Sequence, residues 1–226
     1  MKIRPALGLL RRAIFNYIAE TFSFLRKASG VIHVGANIGQ ERDLYARHNL
    51  RVLWIEPLPD VFARLQTNLR DYPKQRALQY LVTDQDGARC TFHISSNDGV
   101  SSSILDLGLH RELWPEVSYT GAIELQSVTL STLLRQEQID VREFDTLVLD
   151  TQGSELLVLR GAVDLLRGFR FILTEAADFE VYNGCCTLAD LSSFLLSYGF
   201  RERWRKETNS KPGIGACYDV LYERRV

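Results

Sequence analysis

Two glycines that follow an apolar run are the first residues in this chain that could contact a ligand. The run Val31-Ile-His-Val leads directly into Gly35, with Gly39 four residues later. Glycine lets the backbone approach a ligand closely, and the N–H groups that open the next helix are free to donate to it. The pattern indicates a strand followed by a turn that binds phosphate or ribose. Because the full dinucleotide fingerprint is missing, a purely structural turn is the alternative.

Carboxylates follow several other apolar runs. Glu56 comes directly after Arg51–Ile55, at about the spacing expected for an acid that binds ribose hydroxyls. Asp84, Asp150 and Glu175 end three later runs. Ligands of open α/β sheets bind beyond the carboxyl ends of the strands, so these acids should gather at one edge. The alternative is that they only cap the turns between strands and helices.

These side chains require alternating strands and helices to position them. Hydrophobic spacing predicts a first strand that begins at residue 31 and further strands at 51–56, 77–84, 88–94, 123–130, 145–150, 169–175, 199–205 and 216–224. It predicts helices at 40–49, 59–72, 156–166 and 187–199. The polar run 95–103 has no period and is predicted to be a loop. The connection 206–215 is too short for a crossover helix, so the last two strands should be antiparallel.

Composition limits the domain organisation and the class of partner. The 226 residues are 46% hydrophobic, enough for one substantial core, and we assign residues 30–226 to a single domain. A net charge of −1 argues against a nucleic-acid partner. The four cysteines show no paired metal spacing, so reduced thiols in a cytoplasmic protein are expected. We find no apolar run long enough to span a bilayer.

The segment 1–29 differs in composition from the rest. It carries six basic residues against one glutamate, and its apolar residues recur at helical intervals. It lacks the apolar core and cleavage site of a secretory signal. A basic amphipathic helix is therefore expected. We favour packing on its own domain or on a second copy in a homo-oligomer, with peripheral membrane contact as the other interpretation.

Six motifs in fixed order resemble the FkbM family of methyltransferases: VIHVGANIGQE, WIEPLPDVFARLQTNL, VTDQDG, VSSSIL, LVLDTQGSELLVLRGA and LTEAADFEVYNG. The resemblance extends from Val31 to the C-terminus. It implies the class I, Rossmann-like fold: a mostly parallel seven-stranded sheet, helices on both faces and a C-terminal antiparallel strand pair. It also implies an enzyme that uses S-adenosyl-L-methionine to O-methylate a hydroxyl of a sugar, a glycan or a natural product.

The resemblance suggests roles for individual residues. Glu56 would bind the ribose hydroxyls and Asp84 the adenine amino group, while Asp150 and Glu175 are the candidates for the general base. The residues expected to bind the cofactor are His33, Gly35, Ala36, Asn37, Gly39, Gln40, Glu56, Pro57, Thr83, Asp84, Ser102 and Asp150. The scattered histidines predict no metal site.

One residue departs from the family pattern. Class I methyltransferases usually have an acid at the end of the first strand, which fixes the glycine turn or binds the methionine ammonium, whereas this chain has His33. We expect a neutral histidine that hydrogen-bonds the turn rather than a general base. Two alternatives stay open at this point: a nicotinamide-dependent oxidoreductase, and a non-catalytic module that binds the cofactor. The identity of the acceptor is not encoded in the motifs.

Overall fold

The structure is a computed structural model that describes residues 22–224. The strands are β1 (Gly30–Val34), β2 (Arg51–Ile55), β3 (Gln75–Leu78), β4 (Leu81–Val82), β5 (Arg89–Ser95), β6 (Tyr119–Val128), β7 (Thr146–Leu149), β8 (Phe171–Ala177), β9 (Phe200–Lys211) and β10 (Gly215–Arg224). The α-helices are α1 (Arg42–Arg47), α2 (Pro59–Asn68), α3 (His110–Leu113), α4 (Leu130–Gln136), α5 (Glu155–Arg160) and α6 (Leu188–Ser197). Short 3-10 helices cover Ser23–Lys27, Val141–Glu143 and Leu166–Gly168.

Seven of the strands form one sheet in the order β3-β2-β1-β7-β8-β10-β9. The five strands from β3 to β8 are parallel, and β10 pairs antiparallel with both β8 and β9. This arrangement confirms the predicted class I fold and its antiparallel end. The chain order reverses between β1 and β7, so the connections that follow these two strands diverge. Such a switch point leaves a crevice at the carboxyl ends of the strands.

Alternate residues of the central strands enter two separate cores, one on each face of the sheet. Ile32 and Val34 belong to the larger core, which includes Leu133 of α4 and Leu191 of α6. Val31 points to the opposite face, into the core that contains Tyr45 of α1 and Leu65 of α2. A strand that is buried on both faces reads as a continuous apolar run, as β1 does.

The predicted third strand, 77–84, is wrong in its bounds. The structure has two strands there, and only β3 belongs to the main sheet. The N–H of Glu56 donates to the carbonyl of Leu78, where β2 ends and offers no further pairing. The chain then crosses to a second sheet of order β4-β6-β5, where Leu81 and Phe92 share a small core. Asp84 therefore does not end a strand of the main sheet.

Two further elements differ from the sequence prediction. The strand expected at 123–130 ends at Val128, because Thr129 caps the unpredicted helix α4 by accepting the N–H of Thr132 at 3.2 Å. The connection expected at 206–215 is mostly strand, since β9 and β10 continue as a two-stranded ribbon to a short turn. The sequence of this ribbon is polar and lacks the hydrophobic alternation from which a strand could be predicted.

The N-terminal segment is described only from residue 22. Phe24 and Leu25, in its 3-10 helix, are buried, and the ring of Phe24 lies 5.3 Å from that of Phe171. Residues 1–21 lie outside the described range, so the amphipathic helix stays a prediction. Within 22–224 no helix combines the length and the apolar character needed to cross a membrane.

Candidate active site

The glycine turn is shaped by its contact with the end of β7. Gly35 has a φ of 82°, and a Cβ atom on it would lie 1.8 Å from the carbonyl oxygen of Asp150. Asn37 also lies in the left-handed region, with a φ of 43°. Gly39 has a different purpose, because a Cβ atom there would meet Leu65 of α2 at 2.8 Å. Gly35 thus brings β1 and β7 together, while Gly39 lets the turn pack on a helix.

A cavity opens at the carboxyl ends of β1, β2 and β7, as the switch point predicts. Nine of the predicted cofactor residues line it: His33, Gly35, Ala36, Asn37, Gln40, Glu56, Pro57, Ser102 and Asp150. We call this space the donor cavity. Its serine-rich wall is ordered, since the Oγ of Ser102 accepts the N–H of Ser95 at 3.0 Å.

Three predicted cofactor residues do not line the donor cavity. Gly39 faces α2 instead. Thr83 is buried under α5, where its carbonyl oxygen would lie 2.2 Å from a Cβ atom on Gly161. Asp84 follows β4, not the main sheet, and its assignment to the adenine amino group loses its geometric basis. The corresponding wall of the cavity is built by Tyr80, Leu81 and Val82.

The carboxylate of Glu56 is held by two backbone N–H groups. Its two carboxylate oxygens accept the N–H groups of Asn37 at 2.9 Å and Leu58 at 3.0 Å. The residue is buried, and burial raises its pKa to about 7, against these hydrogen bonds. Each oxygen keeps a lone pair for another donor. Glu56 therefore caps the turn and still presents a carboxylate to the donor cavity.

His33 is buried among aromatic side chains. Its ring stacks on Trp54 with centroids 4.8 Å apart, and its Nδ1 lies 3.2 Å from the hydroxyl of Tyr45. Burial lowers the pKa of His33 to about 3, so the ring is neutral near pH 7. This environment agrees with the expected neutral state of His33. The hydrogen-bond partner of His33, however, is Tyr45 of α1 and not the glycine turn.

The two candidate bases are joined by one amide group. The Nε2 of Gln152 donates to Asp150 at 2.6 Å and to Glu175 at 3.2 Å, while its Oε1 accepts the hydroxyl of Tyr182 at 2.7 Å. Gln152 has a φ of 54°, a strained value that the surrounding contacts must hold. Burial raises the pKa of Asp150 to about 6, and the charge of Asp150 raises the pKa of Glu175 well above its usual range.

A second cavity lies beyond Gln152, and we call it the acceptor cavity. Glu175 lines this cavity rather than the donor cavity, whereas Val100 and Gln152 line both. Its wall includes aromatic, amide and hydroxyl side chains, namely His110, Trp114, Tyr182, Asn97, Asn209, Ser101 and Thr208, together with a second acid, Glu155, three cysteines and small apolar residues. The Asp150–Gln152–Glu175 group thus stands where the two cavities meet.

The charged side chains that line the donor cavity are all acids. Glu41, Glu56 and Asp150 line it, and among residues 22–224 no lysine or arginine does. Such a surface favours a ligand with positive charge and opposes the pyrophosphate of a dinucleotide. The glycine turn, the acid beside the ribose position and this charge together fit S-adenosyl-L-methionine, which has a sulfonium and an ammonium group.

Comparison with known proteins agrees with this geometry. A family model described as the methyltransferase FkbM domain matches residues 33–202. The chain belongs to the FkbM methyltransferase family. It is 29% identical over 188 residues to the 2-O-methyltransferase NoeI of Sinorhizobium fredii, and the match covers 79% of this chain and 76% of that protein. The protein is thus an S-adenosylmethionine-dependent methyltransferase, which decides against the nicotinamide-dependent oxidoreductase.

Two solved methyltransferases share the fold of this FkbM methyltransferase. The N-methyltransferase NodS of Bradyrhizobium japonicum has a TM-score of 0.52 at 10% identity, with 93% of this chain and 96% of that chain covered. The Sp1610 protein of Streptococcus pneumoniae, solved with S-adenosyl-L-methionine, has a TM-score of 0.51 at 10% identity, with 92% and 72% covered. Both likenesses support the class I architecture.

Sequence reasoning missed several polar residues of this FkbM methyltransferase site, and two of them contact or face its central groups. Glu41 lines the donor cavity one position after the predicted Gln40, and Gln152 links the two candidate bases. Both stand inside motifs that had been recognised, GANIGQE and DTQG. Their polar character next to the glycines was the available signal. Across residues 22–224, we find no group of three or more histidine, cysteine, aspartate or glutamate side chains placed to hold a metal ion.

Proposed function

We propose that this FkbM methyltransferase transfers the methyl group of S-adenosylmethionine to a hydroxyl oxygen of a sugar, a glycan or a natural product. The observation that carries the proposal is the junction of the two cavities at Val100 and Gln152. A donor and an acceptor seated in them would meet beside Asp150 and Glu175. NoeI is a 2-O-methyltransferase, which supports oxygen as the methylated atom.

The lining of the acceptor cavity supports a neutral, polyhydroxylated acceptor. Trp114 offers an aromatic face, and Asn97 and Asn209 offer amide donors and acceptors. The Nδ1 of His110 is buried and has no hydrogen-bond partner among the described residues. Burial lowers the pKa of His110 to about 4, so this ring is a neutral group available to a hydroxyl. In the part of the chain that the structure describes, no lysine or arginine lines this cavity to hold a phosphate.

The two carboxylates have different tasks in this proposal. S-Adenosylmethionine, when bound, supplies an electrophilic methyl group. Glu175 faces the acceptor and takes its hydroxyl proton late in the transfer, and repulsion from Asp150 makes Glu175 a stronger base than a free glutamate. Asp150 lines the donor side and holds Gln152. Tyr182 holds the other end of the Gln152 amide, which fixes the distance between the two carboxylates.

We make two further proposals, one on the cellular compartment and one on metal dependence. We place the protein in the cytoplasm, because the four cysteines are free thiols. We also propose transfer that needs no metal ion. Undiminished transfer after treatment with a chelator would support the second proposal, and loss of transfer that magnesium restores would contradict it.

A methyl-transfer screen tests the acceptor class. The full chain is incubated with isotopically labelled S-adenosylmethionine and three acceptor sets: neutral oligosaccharides, sugar phosphates and polyketides with free hydroxyls. We expect label in the neutral oligosaccharides, with mass spectrometry placing the methyl on a ring hydroxyl. Transfer confined to sugar phosphates would contradict the acceptor assignment, because the cavity lining offers them no cation.

A further inference from the structure

The donor cavity lacks a carboxylate at the position where a methyltransferase of this fold usually has one. That position is held by His33, at the carboxyl end of β1. Its ring is neutral, stacked on Trp54 and directed to the hydroxyl of Tyr45. His33 therefore supplies no negative charge to the cavity. A ligand with an ammonium group must find its counter-charge elsewhere.

Glu41 is the acid of the donor cavity that is least engaged by the protein. Glu56 accepts two backbone N–H groups and Asp150 accepts the amide of Gln152. For Glu41, the hydrogen-bond donor that the described residues provide is its own backbone N–H. The charge of the nearby Arg42 acts to lower the pKa of Glu41, but the Arg42 guanidinium donates its hydrogen bond to the carbonyl of Gly39 at 3.0 Å. The Glu41 carboxylate is left for a ligand.

Without a bound cation, the surroundings of Glu41 disfavour the charged form of its carboxylate. The side chain is largely buried, and the negative charge of Asp150 repels it. Burial raises the pKa of Glu41 to about 7. A cation placed between Glu41 and Asp150 relieves this repulsion and replaces the lost solvation. A hydrogen-bonded ammonium group meets both needs.

We infer that Glu41 binds the α-ammonium group of the cofactor's methionine moiety and replaces the acid that is absent at His33. The inference rests on the use of S-adenosylmethionine described above and adds a residue outside the usual position. Glu41 directly precedes α1, whose Tyr45 holds His33, so the replaced residue and its substitute are positioned by one short helix.

Two ligands that differ only in the amino-acid moiety test the inference. S-Adenosylhomocysteine carries the ammonium group, whereas 5′-methylthioadenosine shares the adenosine and the thioether but lacks it. By calorimetry with the full chain, Glu41→Gln should lose roughly tenfold or more in affinity for S-adenosylhomocysteine. The affinity for 5′-methylthioadenosine should stay within roughly twofold. Glu41→Asp, which keeps the charge, should lose less than Glu41→Gln.

Glu56→Gln provides the matched control, because Glu56 is assigned to the ribose that both ligands share. It should weaken both ligands to a similar extent. Equal weakening of both ligands by Glu41→Gln would overturn the inference, as would unchanged binding of S-adenosylhomocysteine. A wild-type chain that bound neither ligand would overturn the cofactor assignment as well. Thermal unfolding of each variant, measured without ligand, shows that the fold is retained.

Discussion

The side-chain amide of Gln152 lies 2.6 Å from the carboxylate of Asp150, and the same nitrogen reaches Glu175 at 3.2 Å. One amide thus spaces two carboxylates that would otherwise repel each other directly. Because one acid lines the donor cavity and the other the acceptor cavity, this contact sets the geometry of the junction.

Replacement of Gln152 should impair transfer more than binding. Gln152→Ala removes the link between Asp150 and Glu175, and we expect turnover to fall by roughly ten- to a hundredfold. The affinity for S-adenosylhomocysteine should change by less than roughly threefold. The matched control is Gln126→Ala, at an exposed position of β6, which should behave as wild type. Steady-state kinetics and calorimetry distinguish these outcomes, and equal losses in affinity and turnover would contradict the positioning role.

Loss of charge at either candidate base should depress turnover. Glu175→Gln removes the proton acceptor on the acceptor side, so turnover should fall by roughly a hundredfold or more with little change in cofactor affinity. Asp150→Asn should also depress turnover, and its effect on cofactor affinity should be smaller than that of Glu41→Gln. Single-turnover rates with saturating donor measure the chemical step. A Glu175→Gln variant with the wild-type rate would exclude Glu175 as the base.

Two glycines with similar backbone angles should differ in their tolerance of alanine. Gly35 and Gly87 have φ values of 82° and 72°, but only Gly35 faces the carbonyl of Asp150, while the space around Gly87 is open. Gly87→Ala should cost about 1–2 kcal/mol of unfolding free energy, from the left-handed backbone alone. Gly35→Ala should cost a further ~1–3 kcal/mol from the forced contact. Chemical denaturation measures both, and equal destabilisation would contradict the close approach.

Glu56 should make the stability of the protein depend on pH. Its folded pKa of about 7 is raised above the ordinary value of 4.5, so its stabilising contribution is complete below pH 4.5 and is lost as the pH rises through 7. The Glu56→Gln variant has no carboxyl group at this position to ionise, so it does not lose this stability as the pH rises. The melting temperature of the variant, relative to wild type, should therefore increase between pH 5 and pH 8.

The comparison with wild type is necessary because buried histidines act in the opposite direction. Burial lowers the pKa of His33 and of His110, so their contributions to stability increase as the pH rises toward 6.5. These contributions are common to wild type and Glu56→Gln and cancel in the difference. A difference that is constant from pH 5 to pH 8 would show that Glu56 is not perturbed by burial.

The main sheet and most of the donor cavity could be predicted from the sequence because their signals are local. β1, β2 and β7 are continuous apolar runs, and Gly35 and Glu56 stand directly at their ends. The break after Leu78 could not be predicted, because it depends on where the neighbouring strand β2 stops pairing. The Gln79-Tyr80 step between β3 and β4 has no glycine or proline to mark it.

The acceptor cavity was beyond prediction for a related reason. It brings together Trp114 of the segment after α3, Asn209 of β9 and Glu175 of β8, which are far apart in the sequence. No spacing rule links residues whose contact depends on the tertiary fold. The role of Gln152 could not be predicted for the same reason, since its contact with Glu175 joins residues 23 positions apart.

Transfer of a methyl group to a hydroxyl oxygen is tested by identifying the atom that carries the new methyl group. The full chain is supplied with S-adenosylmethionine labelled with carbon-13 in the methyl group and with the acceptor found by the screen. Carbon NMR of the product then identifies the bond, because an O-methyl carbon resonates downfield of an N-methyl or S-methyl carbon. We predict a single O-methyl resonance that grows at least roughly a hundredfold more slowly with Glu175→Gln. An N-methyl resonance in the product would contradict the account.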